Sequence, residues 1–367
     1  MKFVCTQKNL LRGLAAVSPL SSRNPQLPIL QHALLAVSDG VLRCIGTDLE
    51  VGARAQVGGK AEREGACAVP ARRLLEFVQQ LPGMHPLTLA VVSGSLRVST
   101  EGYSARFPTA PADDFPLLPE RPDTEPVILE GRRLSTALTH TVFAAARDES
   151  RPEIRSVFVH GADGTVRLAA TDSFRLAEHT LPAAGIKEFS LLLPLVAAQE
   201  FIRLFSEAEQ VQVFAGPNHL VALGDGIELS SRLVDGSYPD YRQIIPDSSL
   251  TRGSVKREEF LRALKVLNVF LPRDSRRVTV QVRPGEGRLS LTVAGGADAG
   301  EGAVTVSFSG EGEDVEALYN ISYLLDGITH LAGESCELRW RGAEDPFMLL
   351  PEGRKNNSLY LVMPIQV

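Results

Sequence analysis

The sequence contains few cysteines, and they are not spaced for a metal or redox site. Its 367 residues include four, Cys5, Cys44, Cys67 and Cys336, with no Cys-x-x-Cys pair. This spacing excludes a zinc knuckle and a thioredoxin-like motif, and a reducing cytosol is the simplest compartment. The seven histidines also lack ligand spacing, so we expect them to be structural or solvated. We predict no metal and no cofactor.

Long hydrophobic runs are also missing. No apolar stretch approaches the ~18 residues of a membrane span. The N-terminal segment MKFVCTQKNLLRGLAAV has Lys2, Lys8 and Arg12 spread through its apolar positions, unlike the uninterrupted core of a signal peptide. We therefore expect a cytoplasmic chain that is neither exported nor anchored to a membrane.

The common catalytic motifs are absent as well. There is no G-x-x-x-x-G-K-[ST], no Rossmann glycine motif at a strand-to-helix turn, no H-E-x-x-H and no G-x-S-x-G. Asp48 and Asp172 allow an alternative interpretation as the acid and base of an enzyme. Because each follows a predicted strand in equivalent repeats, a turn or cap role is favoured. We predict no catalytic residues and no enzymatic activity.

The composition is that of a folded protein with several domains. Hydrophobic residues make up 44% and charged residues 22%, and the mean hydropathy is +0.01. The length exceeds the roughly 100–200 residues typical of one domain, which predicts two or three domains. With 38 Lys and Arg against 44 Asp and Glu, the net charge is −6. This balance argues against a surface that is basic throughout.

A weak internal repeat recurs at offsets of 124 and 126 residues. Each repeat begins with a predicted helix carrying two apolar residues one turn apart: Leu10 and Leu14, Leu134 and Leu138, Phe260 and Leu264. A second helix follows at the same offsets, beginning near Pro70, Pro194 and Asn320, with Val78, Ile202 and Ile328 in equivalent positions. Between the helices lie Thr47-Asp48, Thr171-Asp172 and Asp298. Repeats of this kind define the architecture of the chain.

The rest of each repeat reads as short strands and hairpins. Apolar or alternating runs cover 33–37, 41–45, 166–170, 211–214, 278–282 and 289–293, and Ser-Asp-Gly, Ala-Asp-Gly and Pro-Gly-Glu-Gly turns predict three hairpins. The joins fall near 122–126 and 248–253, which are polar and rich in Pro or Gly. The sequence thus predicts three α+β domains, at 1–123, 124–251 and 252–367, each with two helices packed on antiparallel sheets.

Positive charge is concentrated in the predicted helices. The windows 7–18, 71–81, 131–144, 195–205, 257–270 and 321–331 contain ten Lys and Arg but five Asp and Glu, so they carry +5 and the remainder −11. Helices that all face one way would form a basic surface suited to a polyanion. The alternative is that these residues serve solubility, as on many surface helices.

Six motifs in order resemble the bacterial DNA polymerase III beta subunit, the sliding clamp family. They are Leu27-Pro-Ile-Leu30, Gly46-Thr-Asp-Leu-Glu50, Val69-Pro-Ala-Arg72, Ala170-Thr-Asp-Ser-Phe-Arg-Leu-Ala177, Asp235-Gly-Ser-Tyr-Pro-Asp-Tyr-Arg242 and Val362-Met-Pro-Ile365. Each motif alone is weak, but together they span the first domain to the last residues, and the chain length also matches.

The resemblance implies a head-to-tail homodimeric ring of six domains, with helices lining the hole. Such a ring is a processivity factor that a clamp loader closes on primed DNA. It slides on double-stranded DNA without sequence specificity, and polymerases bind it through short peptide motifs. Two alternatives remain: the enzyme considered above, and a clamp-like paralogue or inhibitor-tolerant variant of the same fold.

The resemblance also implies three sets of site residues. The DNA-binding set is Arg23, Asn24, Arg72, Arg147 and Arg151. The dimer-interface set is Arg73, Arg106, Phe107, Val269, Phe270, Leu271, Asp298 and Glu301. The peptide-pocket set is Ile154, Thr171, Ser173, Phe174, Arg175, Leu176, Pro239, Gln243, Ile244, Tyr323, Val362, Met363, Pro364 and Ile365. The alternatives are that the arginines are solvated surface charges, that Phe107 and Phe270 fill their own domain cores, and that the terminal run around Met363 is only an edge strand.

The chain departs from the family pattern at two places near the predicted pocket. Ser173-Phe174 stands where the family commonly has Gly-His, and Gln243 stands where a second arginine often follows Tyr-Arg. We expect these changes to make the pocket rim more apolar, so that it favours peptides that depend less on acidic flanks.

Overall fold

A computed structural model describes residues 1–21, 27–272, 276–294, 300–353 and 357–366. Its helices are α1 (Gln7–Ser21), α2 (Ala71–Gln80), α3 (Gly131–Thr139), α4 (Leu195–Phe205), α5 (Arg257–Leu267) and α6 (Ile321–His330). All six predicted helices are confirmed. Helices α3 and α5 end several residues before their predicted windows do, and the 3₁₀ turns Val142–Ala144 and Asn268–Phe270 follow them. Helices α2 and α6 each end one residue early. None of the described helices is long and apolar enough to cross a membrane.

The described residues form 26 strands. In chain order they are β1 (Lys2–Cys5), β2 (His32–Ser38), β3 (Val41–Thr47), β4 (Val51–Val57), β5 (Gly59–Arg63), β6 (Gly65–Pro70), β7 (Leu87–Val92), β8 (Ser95–Thr100), β9 (Tyr103–Pro108), β10 (Val127–Leu129), β11 (Ser156–Ala162), β12 (Thr165–Thr171), β13 (Arg175–Pro182), β14 (Phe189–Pro194), β15 (Val211–Ala215), β16 (His219–Gly224), β17 (Ile227–Arg232), β18 (Thr251–Lys256), β19 (Arg277–Arg283), β20 (Arg288–Ala294), β21 (Glu301–Ser307), β22 (Ser309–Glu311), β23 (Val315–Asn320), β24 (Ser335–Trp340), β25 (Phe347–Pro351) and β26 (Ser358–Val362). Each predicted strand falls within one of them.

The first compact unit comprises residues 1–133 and 200–233. It contains a five-stranded sheet in the order β5-β1-β7-β8-β9 and an eight-stranded sheet in the order β10-β15-β16-β17-β4-β3-β2-β6. The larger sheet is continuous across two sequence repeats, because β17 pairs antiparallel with β4. Helices α1 and α2 pack together in this unit, and the predicted core residues Leu10, Leu14 and Val78 are fully buried.

The second compact unit comprises residues 134–199 and 234–367. It contains a nine-stranded sheet in the order β14-β11-β12-β13-β26-β25-β24-β18-β22 and a four-stranded sheet in the order β21-β20-β19-β23. The pairing of β13 with β26 again joins two repeats. Phe260, Leu264 and Ile328 are fully buried here, as their helical spacing predicts.

The three predicted hairpins are present, and their turns follow from local backbone chemistry. In the first turn, φ is 53° at Asp39 and 76° at Gly40. In the second turn, φ is 51° at Asp163 and 72° at Gly164. Two successive residues with positive φ form the turn that matches the twist of paired strands, and Asp-Gly adopts it at low cost. The third hairpin turns at Gly287, which has a φ of 66°. These turns fix the strand registers.

The two predicted joins differ in structure. Residues 122–126 contain no helix or strand. The predicted linker at 248–253 is wrong in its last three residues, because β18 begins at Thr251 and pairs along its length with β24. Its polar and glycine-containing sequence indicates a loop, but pairing with a distant strand overrides that local preference. The domain boundaries at 123/124 and 251/252 stay predictions.

The four cysteines are buried free thiols. Burial raises the pKa of Cys5 to about 12 and that of Cys67 to about 11. Because the thiolate is the reactive form, these side chains are poor nucleophiles at neutral pH. They behave as small core residues, in agreement with the absence of a cysteine motif.

Candidate functional site

The candidate site in the second unit is built around the turn between β12 and β13. The Oδ1 atom of Asp172 accepts hydrogen bonds from the backbone N of Phe174 at 3.0 Å and of Arg175 at 3.1 Å. The Thr171 hydroxyl donates to the Arg175 carbonyl at 2.6 Å and accepts from the Ser173 N at 3.1 Å. Ser173 has a φ of 79°. This network holds a non-glycine residue in a conformation that it rarely adopts.

Asp48 has the same local role in the first unit. Its Oδ1 atom accepts from the backbone N of Glu50 at 3.0 Å and of Val51 at 2.7 Å. The interpretation of Asp48 and Asp172 as turn residues is therefore confirmed. Each carboxylate is occupied by backbone donors, which is the ordinary use of aspartate in a tight turn.

Arg175 is the central charged residue of the site. Its side chain is 6% exposed and contacts two carboxylates, the Oδ2 atoms of Asp172 at 2.9 Å and of Asp326 at 2.6 Å. It also donates to the Phe143 carbonyl at 2.8 Å and lies 4.5 Å from the centre of the Tyr323 ring. These four charge-assisted and cation–π contacts suit a planar guanidinium.

The charge of this arginine is secured by its neighbours. Burial acts to lower the pKa of Arg175, but Tyr360 and the two carboxylates outweigh it and raise the pKa above the ordinary value. Arg175 follows β12 in the middle repeat, whereas Asp326 lies on α6 of the third repeat. The ion pair therefore ties two repeats together within the second unit.

The last described strand passes beside this turn. Strand β26 lies between β13 and β25, so the alternative that the terminal run is an edge strand is wrong. Beyond it, the Met363 N donates to the Phe174 carbonyl at 2.8 Å, and the Ile365 N donates to the Leu318 carbonyl at 2.7 Å. The chain end is thus fastened across both repeats by backbone hydrogen bonds.

An apolar cluster lies beneath the chain end. Its buried members are Ala169, Leu176, Tyr241, Met348, Leu350 and Leu361, and the partly buried Phe158, Tyr238, Ile245, Leu359 and Met363 pack against it. The rings of Phe158 and Tyr238 stack with their centres 5.1 Å apart. Met363 is thus an accessible residue on a firmly packed floor, an arrangement suited to binding an apolar side chain.

The rim of the site is largely apolar and open to solvent. Phe174 is 60% exposed and Ile244 is 41% exposed. Pro239 is exposed as well, and the Gln243 side chain donates to Asp240 at 2.9 Å. Large apolar side chains in contact with water mark interaction surfaces when they lie together. The expected apolar rim is consistent with this exposure.

The structure brings at least seven of the fourteen predicted pocket residues together. Hydrogen bonds or apolar contacts connect Thr171, Ser173, Phe174, Arg175, Leu176, Tyr323 and Met363. Ile154 is 2% exposed and has a structural role, since its carbonyl accepts from the Ala146 N at 3.0 Å and its N donates to Arg151. The role of the predicted pocket residues in binding a peptide stays a prediction.

The DNA-binding candidates have different surroundings. Arg72 forms an exposed ion pair with Glu76 at 2.9 Å. Arg151 is exposed, but it donates to the Ser173 hydroxyl at 3.1 Å and lies 3.7 Å from the Glu153 carboxylate, which connects it to the pocket turn. Arg147 is exposed and forms no ion pair within the described part of the chain. Arg23 and Asn24 lie outside the described residues.

The described candidates for the dimer interface lie on strands β9 and β21, on helix α2 and at the turn after α5. Phe107 is on β9, at the edge of its sheet, but its side chain is 8% exposed and packs edge-to-face on Phe77 with ring centres 5.6 Å apart. This agrees with the alternative that Phe107 fills its own core. Glu301 begins β21, the edge strand of the four-stranded sheet.

The remaining interface candidates are mostly exposed. Val269 is 82% exposed, Leu271 is buried, and Phe270 is half-buried with its ring close to Gly302 of β21. Arg73 and Arg106 are exposed and form no ion pair with any residue that the structure describes. Asp298 lies outside the described residues.

Sequence reasoning missed several residues of the site. His140 and His179 have ring centres 5.3 Å apart, and His330 stacks on Phe143 at 4.2 Å. Burial lowers the pKa of His179 to about 4, with a further contribution from His140. His179 is distant from His140 and Phe143 in the sequence of the middle repeat, and His330 lies in the third, so no local pattern indicates their proximity. Among the described residues, no group of His, Cys, Asp and Glu could hold a metal ion.

Family models for the DNA polymerase III beta subunit match the chain along its length: the N-terminal domain at 1–119, the central domain at 128–240 and the C-terminal domain at 242–366. The beta sliding clamps of Chlamydia trachomatis and Synechococcus elongatus are each 29% identical over the whole chain, which covers 87% and 100% of their lengths. The crystal structure of the Pseudomonas aeruginosa sliding clamp bound to griselimycin has a TM-score of 0.94, with 26% identity and full coverage of both chains.

We predict that Arg175→Met weakens the junction of β13 and β26. Removing the guanidinium leaves the mostly buried Asp172 carboxylate without its ion pair, which costs about 3 kcal/mol, whereas the Asp326 side chain is 43% exposed and remains solvated. Amide hydrogen exchange in β26 should accelerate on the order of 100-fold. Local exchange is the suitable measurement because a chain with several domains does not unfold in one step.

The matched control for this substitution is Arg252→Met. It breaks the exposed Arg252–Glu311 pair, whose atoms are 2.6 Å apart and whose side chains are 61% and 71% exposed. Such a pair contributes about 0–1 kcal/mol. Equal acceleration of exchange near the two substituted sites would contradict the central role of Arg175.

Proposed function

The chain belongs to the DNA polymerase III beta subunit family, and we propose that it acts as a head-to-tail homodimeric ring around duplex DNA. The ring is a processivity factor that tethers the DNA polymerase to its template. The observation that carries this conclusion is the succession of three clamp domains, in family order, over the entire chain. The direct test is synthesis by the cell's own polymerase on a primed circular template, where the protein should lengthen the products. Unchanged product length would instead support a clamp-like paralogue.

Ring closure is supported by the strand pairing at the two junctions within the chain. Strands β4 and β13 are the first strands of these two pairings, and they are equivalent because they lie 124 residues apart. Strand β21, 126 residues further along, is the equivalent strand of the third repeat. Strand β17 corresponds to β9 by the offset of 124. Strand β26 lies 131 residues after β17, since Val362 pairs with Arg175 as Ser231 pairs with Val51, and it takes the same place as the last strand of its repeat. The equivalent pairs β4–β17 and β13–β26 form within one chain. Strands β9 and β21 are both sheet edges, so they are left to pair between copies.

The side chains near β21 favour an apolar contribution to this interface. Val269 is exposed and Phe270 half-buried beside the edge strand, whereas Arg73 and Arg106 are exposed charges. Exposed ion pairs contribute only about 0–1 kcal/mol, while apolar residues at the centre of an interface dominate its affinity. The pairing partner of these arginines would be the acidic segment that includes Glu301.

We expect Phe270→Ala to weaken dimerisation far more than Arg106→Ala does. The ring loses apolar contact in the first variant and one screened charge in the second. Sedimentation equilibrium of both variants, over a range of protein concentrations, measures the difference. If Phe270→Ala destabilises the monomer but leaves the dimerisation affinity unchanged, the Phe270 side chain instead fills the core of its own domain.

DNA is proposed to pass the helical face of the ring and to contact it through phosphates only. Enclosure retains the DNA topologically, so strong attraction is not required, and the net charge of −6 is compatible with this role. Phosphate contacts carry no sequence information and allow sliding. The candidates are Arg23, Asn24, Arg72, Arg147 and Arg151, of which Arg151 also supports the turn at Ser173.

Arg72→Ala should reduce DNA affinity equally for all sequences. It removes one phosphate contact, so the slope of log affinity against log salt concentration should become shallower by about one unit. Fluorescence anisotropy with two duplexes of unrelated sequence measures this, with Arg97→Ala on strand β8 as the control. A loss that differs between the duplexes would count against a phosphate contact.

The site around Arg175 and Met363 is proposed to bind the short peptide segments of polymerase subunits and of the clamp loader. Its apolar floor, adaptable methionine and exposed Phe174 and Ile244 suit one or two large side chains. Gln243 and Phe174 place no charge at the rim, which favours peptides that depend less on acidic flanks. The proposal excludes catalysis, a cofactor and membrane binding, and places the protein in the cytoplasm.

Met363→Ala should cost peptide binding roughly 2 kcal/mol or more. The side chain forms the accessible part of the floor, whereas the backbone hydrogen bond to Phe174 is retained. Titration of the protein with a fluorescent polymerase-tail peptide measures the loss, and Met84→Ala, at a methionine that is 84% exposed, is the matched control. Binding as tight as that of the unsubstituted protein would show that the pocket is misassigned.

A further inference from the structure

The turn that carries the proposed peptide site has a structural equivalent in the first unit. The Thr47 hydroxyl donates to the Val51 carbonyl at 3.0 Å and accepts from the Leu49 N at 3.0 Å. Leu49 has a φ of 78°, against 79° for Ser173 at the equivalent position. Both turns also receive a hydrogen bond from the strand of the following repeat: the Arg232 N donates to the Glu50 carbonyl at 2.9 Å, as the Met363 N does to Phe174.

A cavity of about 550 Å³ lies beside this first turn. Its apolar lining includes Leu49, Leu117 and Leu118, and its polar lining includes Glu50, Asn218, His219 and Arg232. Gly52, at the base of the cavity, stands where the middle repeat has the buried Leu176. A Cβ atom on Gly52 would lie 2.3 Å from Leu118, so the leucine packs directly on bare backbone. The first repeat therefore has the same turn as the middle repeat, but it has no side chain at the position beside the turn where the middle repeat has a leucine.

The lining combines exposed apolar surface with one available cation. Leu117 is 96% exposed and Leu49 is 46% exposed. Arg232 is exposed, and its guanidinium forms no ion pair within the described ranges. A single exposed leucine is ordinary on a protein surface. Two of them beside a cavity, with a guanidinium at its edge, match an apolar side chain that lies next to a carboxylate.

We propose that this cavity is a second peptide-binding site, specific for a short segment with one or two large apolar side chains next to an acidic residue. The inference rests on the proposed function, because its model is the peptide site around Met363. It differs in chemistry: Val51 takes the place of Arg175, and Arg232 supplies a cation at the rim. Each chain then holds two partners at once, which raises the effective concentration of one beside the other.

The probe for this site is a library of random nonapeptides displayed on phage. It is panned against the full-length Met363→Ala variant, so that the first site is weakened. We expect enrichment of sequences with Leu, Ile, Phe or Met adjacent to Asp or Glu. The enriched peptides are then synthesised with fluorescein, and their affinity is measured by anisotropy.

Four further variants, made in the same Met363→Ala chain, locate the bound peptide. Leu117→Ser should weaken binding at least 10-fold without affecting the fold, since the side chain is almost fully exposed. Arg232→Gln should weaken it about 10-fold and reduce its dependence on salt. Met84→Ser, an equally exposed apolar residue that does not line the cavity, should leave the affinity unchanged. Gly52→Leu, which introduces the middle-repeat residue, should block the cavity.

The proposal is overturned if panning against the Met363→Ala chain enriches no sequence more than panning against the same chain with Leu117→Ser does. It is also overturned if the enriched peptides bind the Leu117→Ser and Gly52→Leu chains as tightly as their parent, or if selection yields basic peptides. A wrong assignment of the peptide site around Met363 gives a different result. Peptides selected on the intact chain would then bind the Met363→Ala chain with unchanged affinity, whether or not Leu117→Ser weakens binding.

Discussion

Pairing between the edge strands of successive repeats is the constraint on which the rest of the structure depends. An open strand edge presents unsatisfied backbone donors and acceptors. The pairs β4–β17 and β13–β26 remove four such edges, one on each strand, and in doing so they create the eight- and nine-stranded sheets. The same pairings fasten the strand of one repeat beside the turn of the preceding one. Both the proposed peptide site and the second cavity are consequences of this arrangement, because each lies where such a pair ends.

The two junctions use different chemistry at the same position. The second has the buried Arg175, which contacts Asp172, Asp326 and two aromatic rings, whereas the first has Val51, 1% exposed. A buried ion pair contributes little net stability compared with apolar packing, but it tolerates few alternative geometries. We interpret Arg175 as the residue that fixes the orientation of the turn, so that Phe174 and Met363 stay adjacent. The first junction gains stability from packing and leaves Arg232 available at its rim.

Local sequence signals predicted the repeats, the helices, the hairpin turns and the role of Asp48 and Asp172, because each depends on residues close in sequence. Contacts between distant residues left no such signal. Phe143, Asp326 and the histidines at 140, 179 and 330 meet only in the folded chain, and β18 forms in a segment that resembles a linker because β24 pairs with it. The charge count on the helices was also incomplete: Arg133 pairs with Glu130 and Arg132 with Glu207, acids that lie outside the helices.

The central claim is that β9 of one copy pairs with β21 of another and closes a two-membered ring. In the equivalent pair β4–β17, Val51 lies opposite Ser231 and Ala53 lies opposite Leu229. The same register between β21 and β9 places Glu301 opposite Phe107 and Ala303 opposite Ala105. The decisive measurement is therefore mild oxidation of a chain carrying Ala105→Cys and Ala303→Cys, followed by mass determination under denaturing conditions; the native cysteines are buried and do not interfere. A covalent dimer with no larger product is predicted. The absence of a cross-link, or a ladder of trimers and longer chains, would contradict the closed ring.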